Sequence, residues 1–197
     1  MVAVGSYMRT QRGITLIEVL ITLVILAIGL LGLVGLQARI QILQIEAYQR
    51  AQALMLLEDM GGRIANNRNN AAAYATGTTG SPTPLGAGMT CPTATTTRRD
   101  TDVREWCLAL QGASEQLGTT NVGTMVGGRG CVEDLNNGAY LVTVAWQGLA
   151  PISASAPPAG VACGLNAYNG ALGSACAGDL CRRAVTTVVQ IATLASP

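Results

Sequence analysis

Apolar side chains run almost unbroken from Ile14 to Leu36, ITLIEVLITLVILAIGLLGLVGL, and the one charge in these 23 residues is Glu18. A helix of that length rises about 34 Å, enough for the ~30 Å hydrocarbon core of a bilayer. The pattern then changes. Ile40, Leu43, Ala47, Ala51, Leu54, Leu57 and Ile64 recur at steps built from three and four residues, which sets them on one helical face. Gln37, Arg39, Gln41, Gln44, Gln49, Arg50 and Gln52 lie largely elsewhere. The spacing predicts one continuous helix from about Ile14 to about Asn67. Its first half is apolar all round. Its second half is amphipathic, with the apolar stripe turned toward a soluble domain. The run Asn66-Asn67-Arg68-Asn69-Asn70 ends it.

Residues 71–100 are rich in Ala, Thr, Gly, Ser and Pro, a loop composition with little to bury. A second helix is predicted from about Thr101 to Leu117. Asp102 followed by Glu105 has capping-box spacing, Val103, Trp106, Leu110 and Leu117 share a face, and Gly118 closes it. Beyond this the period switches to two. A short strand over 129–134 and a turn at Asn137-Gly138 lead into Tyr140–Trp146, where Tyr140, Val142, Val144 and Trp146 share a face. A Gly/Pro/Ala-rich loop over 148–180 precedes a last strand, Arg182 to Ala192, with Val185, Thr187, Val189 and Ile191 alternating. The fold class is α+β: a long N-terminal helix packed on a small antiparallel sheet with long loops. The chain divides as 1–13 before the apolar run, 14–36 membrane half, 37–67 amphipathic half, and 68–197 globular domain.

Composition narrows the chemistry. The chain has no His, so the usual serine and cysteine triads, His bases and most zinc sites are out of reach. No cofactor or metal is expected, and no acid–base pair has the look of an active site. The net charge of +1 gives no basic patch for nucleic acid. Cys91, Cys107, Cys131, Cys163, Cys176 and Cys181 all follow the apolar run. An even number confined to one side of a span implies an oxidising compartment and disulfides, with 15 pairings open. Arg9 and Arg12 flank the apolar run on its N-terminal side, so the positive-inside bias places that end in the cytoplasm. A cleaved signal peptide would have a shorter apolar region and an A-x-A-like site. A plain membrane anchor explains the length but not Glu18. A carboxylate deep in hydrocarbon costs about 2.5–3.5 kcal/mol or more, so it marks a functional residue that needs a cationic partner.

The segment Gly13-Ile14-Thr15-Leu16-Ile17-Glu18-Val19-Leu20 resembles the processing and methylation motif of type IV prepilins and type II secretion pseudopilins. The resemblance implies cleavage after Gly13 by a prepilin peptidase and N-methyltransferase, methylation of Ile14, and an assembly role for Glu18. Cleavage would leave a free amine on Ile14 that Glu18 neutralises, within one subunit or between an incoming subunit and the fibre. Most members have Phe where this chain has Ile14. A leader of about six residues would start at Met8. The downstream segments REWCLALQ, YLVTVAWQG and RRAVTTVVQI are similar to those of PilV-type minor pilins, the type IV pilus modification proteins. That implies other major and minor pilins as partners. It also implies residence in the bacterial inner membrane with the domain in the periplasm, and later in the pilus fibre. Three alternatives stay open: a type II secretion minor pseudopilin, an adhesive or DNA-uptake tip pilin, and a membrane-anchored periplasmic enzyme.

Overall fold

A computed structural model describes residues 13–113, 116–118, 120–121, 125–152, 160–171 and 173–192. The proposed leader, apart from Gly13, and the start at Met8 lie outside them. The chain divides into two compact units, Met1–Leu43 and Gln44–Pro197.

In the first unit the described residues are the beginning of helix α1, which spans Leu16–Asn66 in all. Every described residue from Gly13 to Leu43 is exposed. This stretch is long and apolar enough to cross a membrane.

The second unit is built on the rest of α1. Gln49, Ala53, Leu57, Met60 and Ile64 form its buried stripe. This corrects the face read from the sequence. Leu57 and Ile64 are buried, but Ile40, Leu43, Ala47, Ala51 and Leu54 are exposed. Two apolar stripes run along this helix, and the sheet covers the other one. A run of 3-10 helix, Arg68–Tyr74, follows and buries Ala71 and Tyr74.

Segment 71–100 is not the bare loop predicted. It contributes β1 (Gly77–Thr78), β2 (Ser81–Pro82) and β3 (Leu85–Gly86) to the sheet. Helix α2 runs Arg98–Leu110, three residues earlier at its start than predicted and seven shorter at its end. Thr97 is its N-cap: the Thr97 hydroxyl accepts from the Asp100 N–H and the Asp100 carboxylate accepts from the Thr97 N–H. The box is therefore Thr97/Asp100, and Asp102 is buried inside the helix. At the other end Gly112 takes φ 79°, a left-handed residue that stops the helix before residue 118. Leu117, assigned above to the helix face, is exposed in β4 (Gln116–Leu117), which pairs with β5 (Thr120–Asn121).

The three long strands lie where the alternation puts them: β6 (Arg129–Asp134), β7 (Ala139–Gln147) and β8 (Arg182–Gln190). Asn137 (φ 53°) and Gly138 (φ 75°) make the type I′ turn that joins β6 to β7. The main order is β2-β1-β6-β7-β8, with β3 also on β6. The sheet is mixed, not wholly antiparallel, because β1 meets β6 in parallel at Gly77 and Glu133. Tyr140, Val142, Val144 and Trp146 face the core with Val132, Trp106, Leu110 and the α1 stripe. Thr143 and Ala145, on the opposite face of β7, are buried as well. A loop covers that face: Cys163 is bonded to Cys131, and Gly164 and Tyr168 belong to the same loop.

Candidate functional site

The motif residues sit at the mouth of α1. Gly13, Ile14 and Thr15 precede the helix, and Ile14 is 77% exposed. The predicted start at Ile14 is therefore two residues early, since α1 begins at Leu16. Thr15 explains the boundary. Its carbonyl accepts from Glu18 N at 3.1 Å and from Val19 N at 3.3 Å, and its hydroxyl accepts from Glu18 N at 3.4 Å. Thr15 thus caps the helix, and Glu18 lies three residues on, in the first turn.

That position changes the reading of Glu18. The first N–H groups of a helix carry a partial positive charge, so a carboxylate there is stabilised by about 0.3–1 kcal/mol when exposed. The spacing Thr15-x-x-Glu18 is itself a helix-start signal legible in the sequence. Glu18 is exposed and makes no ion pair with any described residue. Cleavage after Gly13 would place an amine on Ile14, the nearest new cation along the chain. The whole motif from Gly13 on is thus accessible: Gly13 and Ile14 outside the helix, a capping Thr, and a carboxylate one turn in.

In the domain, a charge network centred on the buried Asp102 ties α1 to α2. Asp102 accepts from Tyr74 Oη at 2.5 Å, from Arg63 Nη1 at 2.9 Å and from Arg98 Nε at 3.1 Å. Arg63 also donates to Asp59 and to Glu105. Burial disfavours the charge on Asp102, yet the donors Tyr74, Arg98 and Arg63 hold its carboxyl below the usual carboxylate range. Burial, and then the bond to Asp102, push the Tyr74 phenol up. The capping role expected of Asp102 gives way to this network, which no local pattern announces because Tyr74 lies 28 residues away.

The six cysteines form three disulfides, Cys91–Cys107, Cys131–Cys163 and Cys176–Cys181. The first fastens the 71–100 segment to α2. The others organise residues 160–181 around a second buried pair, Arg182 and Asp179, whose Nε and Oδ2 lie 3.0 Å apart. That Nε–H is not aimed at a partner, so this contact is Coulombic; Arg182 Nη1 donates to the Val161 and Cys163 carbonyls. Asp179 Oδ2 accepts from Asn166 N. The guanidinium sits where the loop's carbonyls and carboxylate converge. Among the described residues no group of three or more His, Cys, Asp or Glu side chains is arranged to hold a metal.

Residues 8–34 match the family model described as the prokaryotic N-terminal methylation motif. No curated protein and no solved structure matches the chain. The match supports a pilin- or pseudopilin-type N-terminus; it ends within the exposed part of α1 and does not extend into the domain.

Proposed function

We propose that this chain is a minor pilin of the type IV pilus, of the PilV type by its downstream segments. The carrying observation is the methylation motif over residues 8–34, set directly before and into a helix whose first 28 residues are exposed. A single-pass precursor sits in the bacterial inner membrane, with residues before Ile14 in the cytoplasm and the domain in the periplasm. The three disulfides suit that compartment. Prepilin peptidase cleaves after Gly13 and methylates Ile14. The chain is a substrate of that enzyme and catalyses nothing itself.

Assembly follows from the cost of Glu18 in hydrocarbon, which reaches about 2.5–3.5 kcal/mol for a charge at mid-bilayer. Attraction to the Ile14 amine of a subunit already in the fibre relieves that cost, and low dielectric makes the attraction strong and orientation-specific. Major and minor pilins are thus the partners. The apolar stripe left exposed on α1, Ala47, Ala51 and Leu54, is suited to helices of neighbouring subunits.

The test is the Glu18→Ala chain in its native host. It is expected to insert and mature normally and to be absent from sheared pili. Incorporation at the natural level would sink the amine–carboxylate account.

A further inference from the structure

The sheet has two edges, and they are finished differently. One is closed by β1 and β2, two residues each, with Pro82 in the outermost strand. A strand so short, carrying a residue without an N–H, does not template another. The other edge is β8, nine residues long and paired with β7 over its whole length. No described strand pairs with its far side.

The direction of the open groups follows from one bond. Ile191 N–H donates to the Gly138 carbonyl. Antiparallel alternation then turns the backbone of Val185, Thr187 and Val189 toward β7, and that of Ala184, Thr186, Val188 and Gln190 toward the open side. Thr186, Val188 and Gln190 are exposed, Val188 at 55%. No charge protects this stretch. Arg182 is committed to the Val161 and Cys163 carbonyls, and Arg183 to Glu46 and the Ala150 carbonyl. Residues 184–190, AVTTVVQ, carry no charge, Pro or Gly. Monomeric proteins avoid an open, regular, uncharged edge of this kind because it recruits other strands.

We propose that the open edge of β8 receives an extended, uncharged segment of a different chain, added as a further strand. Its main chain would pair with Ala184, Thr186, Val188 and Gln190, and alternate side chains would lie over Thr186 and Val188. A second copy of this chain does not fit. Antiparallel pairing through β8 needs a two-fold axis normal to the sheet. That axis reverses the part of α1 lying along the sheet face through Ala53, Leu57, Met60 and Ile64. Chains inserted by the same N-terminal segment into one bilayer run in the same direction. Parallel self-pairing sets Arg182 and Arg183 beside their own copies. On the minor-pilin reading, on which this inference rests, the partner chain is a neighbouring fibre subunit.

The experiment uses the full chain in its native host with p-benzoylphenylalanine in place of Gln190. Irradiation is expected to join it to an uncharged segment of one other polypeptide, identified by mass spectrometry. Val188→Pro removes an open-side N–H and leaves the bonds to β7 intact. It is expected to cut the crosslink at least about fivefold, the loss of one net hydrogen bond. Val188→Lys, which keeps the N–H and adds a charge, decides the matter if the Pro variant lowers the unfolding midpoint. A crosslink to a second copy of this chain, no interchain crosslink, or a yield unchanged in the deciding variant would overturn the proposal. The intact mass of the same chain reports separately whether it begins at Ile14, so a failure of the processing reading is distinguishable from a failure of the edge.

Discussion

Removing Asp102 tests how the domain grips α1. Asp102→Ala deletes a carboxylate that is 2% exposed and takes three donors. Those donors do not suffer equally. Arg98 is 70% exposed, so its share is that of a surface pair, at most about 1 kcal/mol. Arg63 keeps Asp59 and Glu105 and reaches water, so its loss is also about 1 kcal/mol. Tyr74 is wholly buried, and its hydroxyl loses its only acceptor among the described residues, a penalty of about 1–3 kcal/mol. The expected sum is about 2–5 kcal/mol, or roughly 4–20 °C in unfolding midpoint for a domain of this size. Near-UV circular dichroism of the full chain in detergent micelles reads it directly. A double-mutant cycle with Tyr74→Phe sharpens the result. The two changes should cost less together than the sum of each alone, by about 1–2 kcal/mol. If Tyr74→Phe costs the same with and without Asp102, the network is not what holds these groups.

Acid should act through the same carboxyl. Its folded pKa is depressed, so its contribution is complete above the unfolded value of about 3.9 and is lost as pH falls through the folded value. Midpoints measured from pH 6 down to pH 2 should therefore fall more steeply below about pH 4 for the natural chain than for Asp102→Asn. The disulfides close loops of 32, 16 and 5 residues, which ranks their chain-entropy contributions at about 3.7, 3.1 and 2.1 kcal/mol. Paired Cys→Ala variants should lose stability in that order, Cys131/Cys163 first, and a non-reducing peptide map should return these three pairs alone. Gly130→Ala drives a methyl group into the Trp106 ring and Leu110, so it should destabilise the domain by about 1–3 kcal/mol, read as a lower urea midpoint.

How much of this was written in the sequence depends on what each element needs. The apolar run and the three long strands announce themselves, because length and alternation are local properties. The buried face of α1 does not. Ala51 and Leu54 recur with the same spacing as Ala53, Leu57 and Met60, and only the sheet decides which stripe is covered. The start of α2 offered two caps, Thr97/Asp100 and Asp102/Glu105, and burial of Asp102 under Tyr74 and Arg63 settled the choice. Strands β1 and β3 are two residues each and exist through pairing with β6, about 45 to 55 residues away, and β2 pairs only with β1, so no strand-length alternation marks them. The cysteine pairing was open for the same reason. At the candidate site Gly13, Ile14 and Glu18 were legible from the motif, whereas the capping role of Thr15 was visible as T-x-x-E and was missed against the louder signal of a charge in an apolar run.

The most direct measurement is the N-terminal mass of the mature chain purified from its native host. The expected mass is that of a chain beginning at Ile14, methylated on its amine, with residues 1–13 absent. A mature chain that begins at Met1 or Met8, or at a site inside the apolar run, would contradict it.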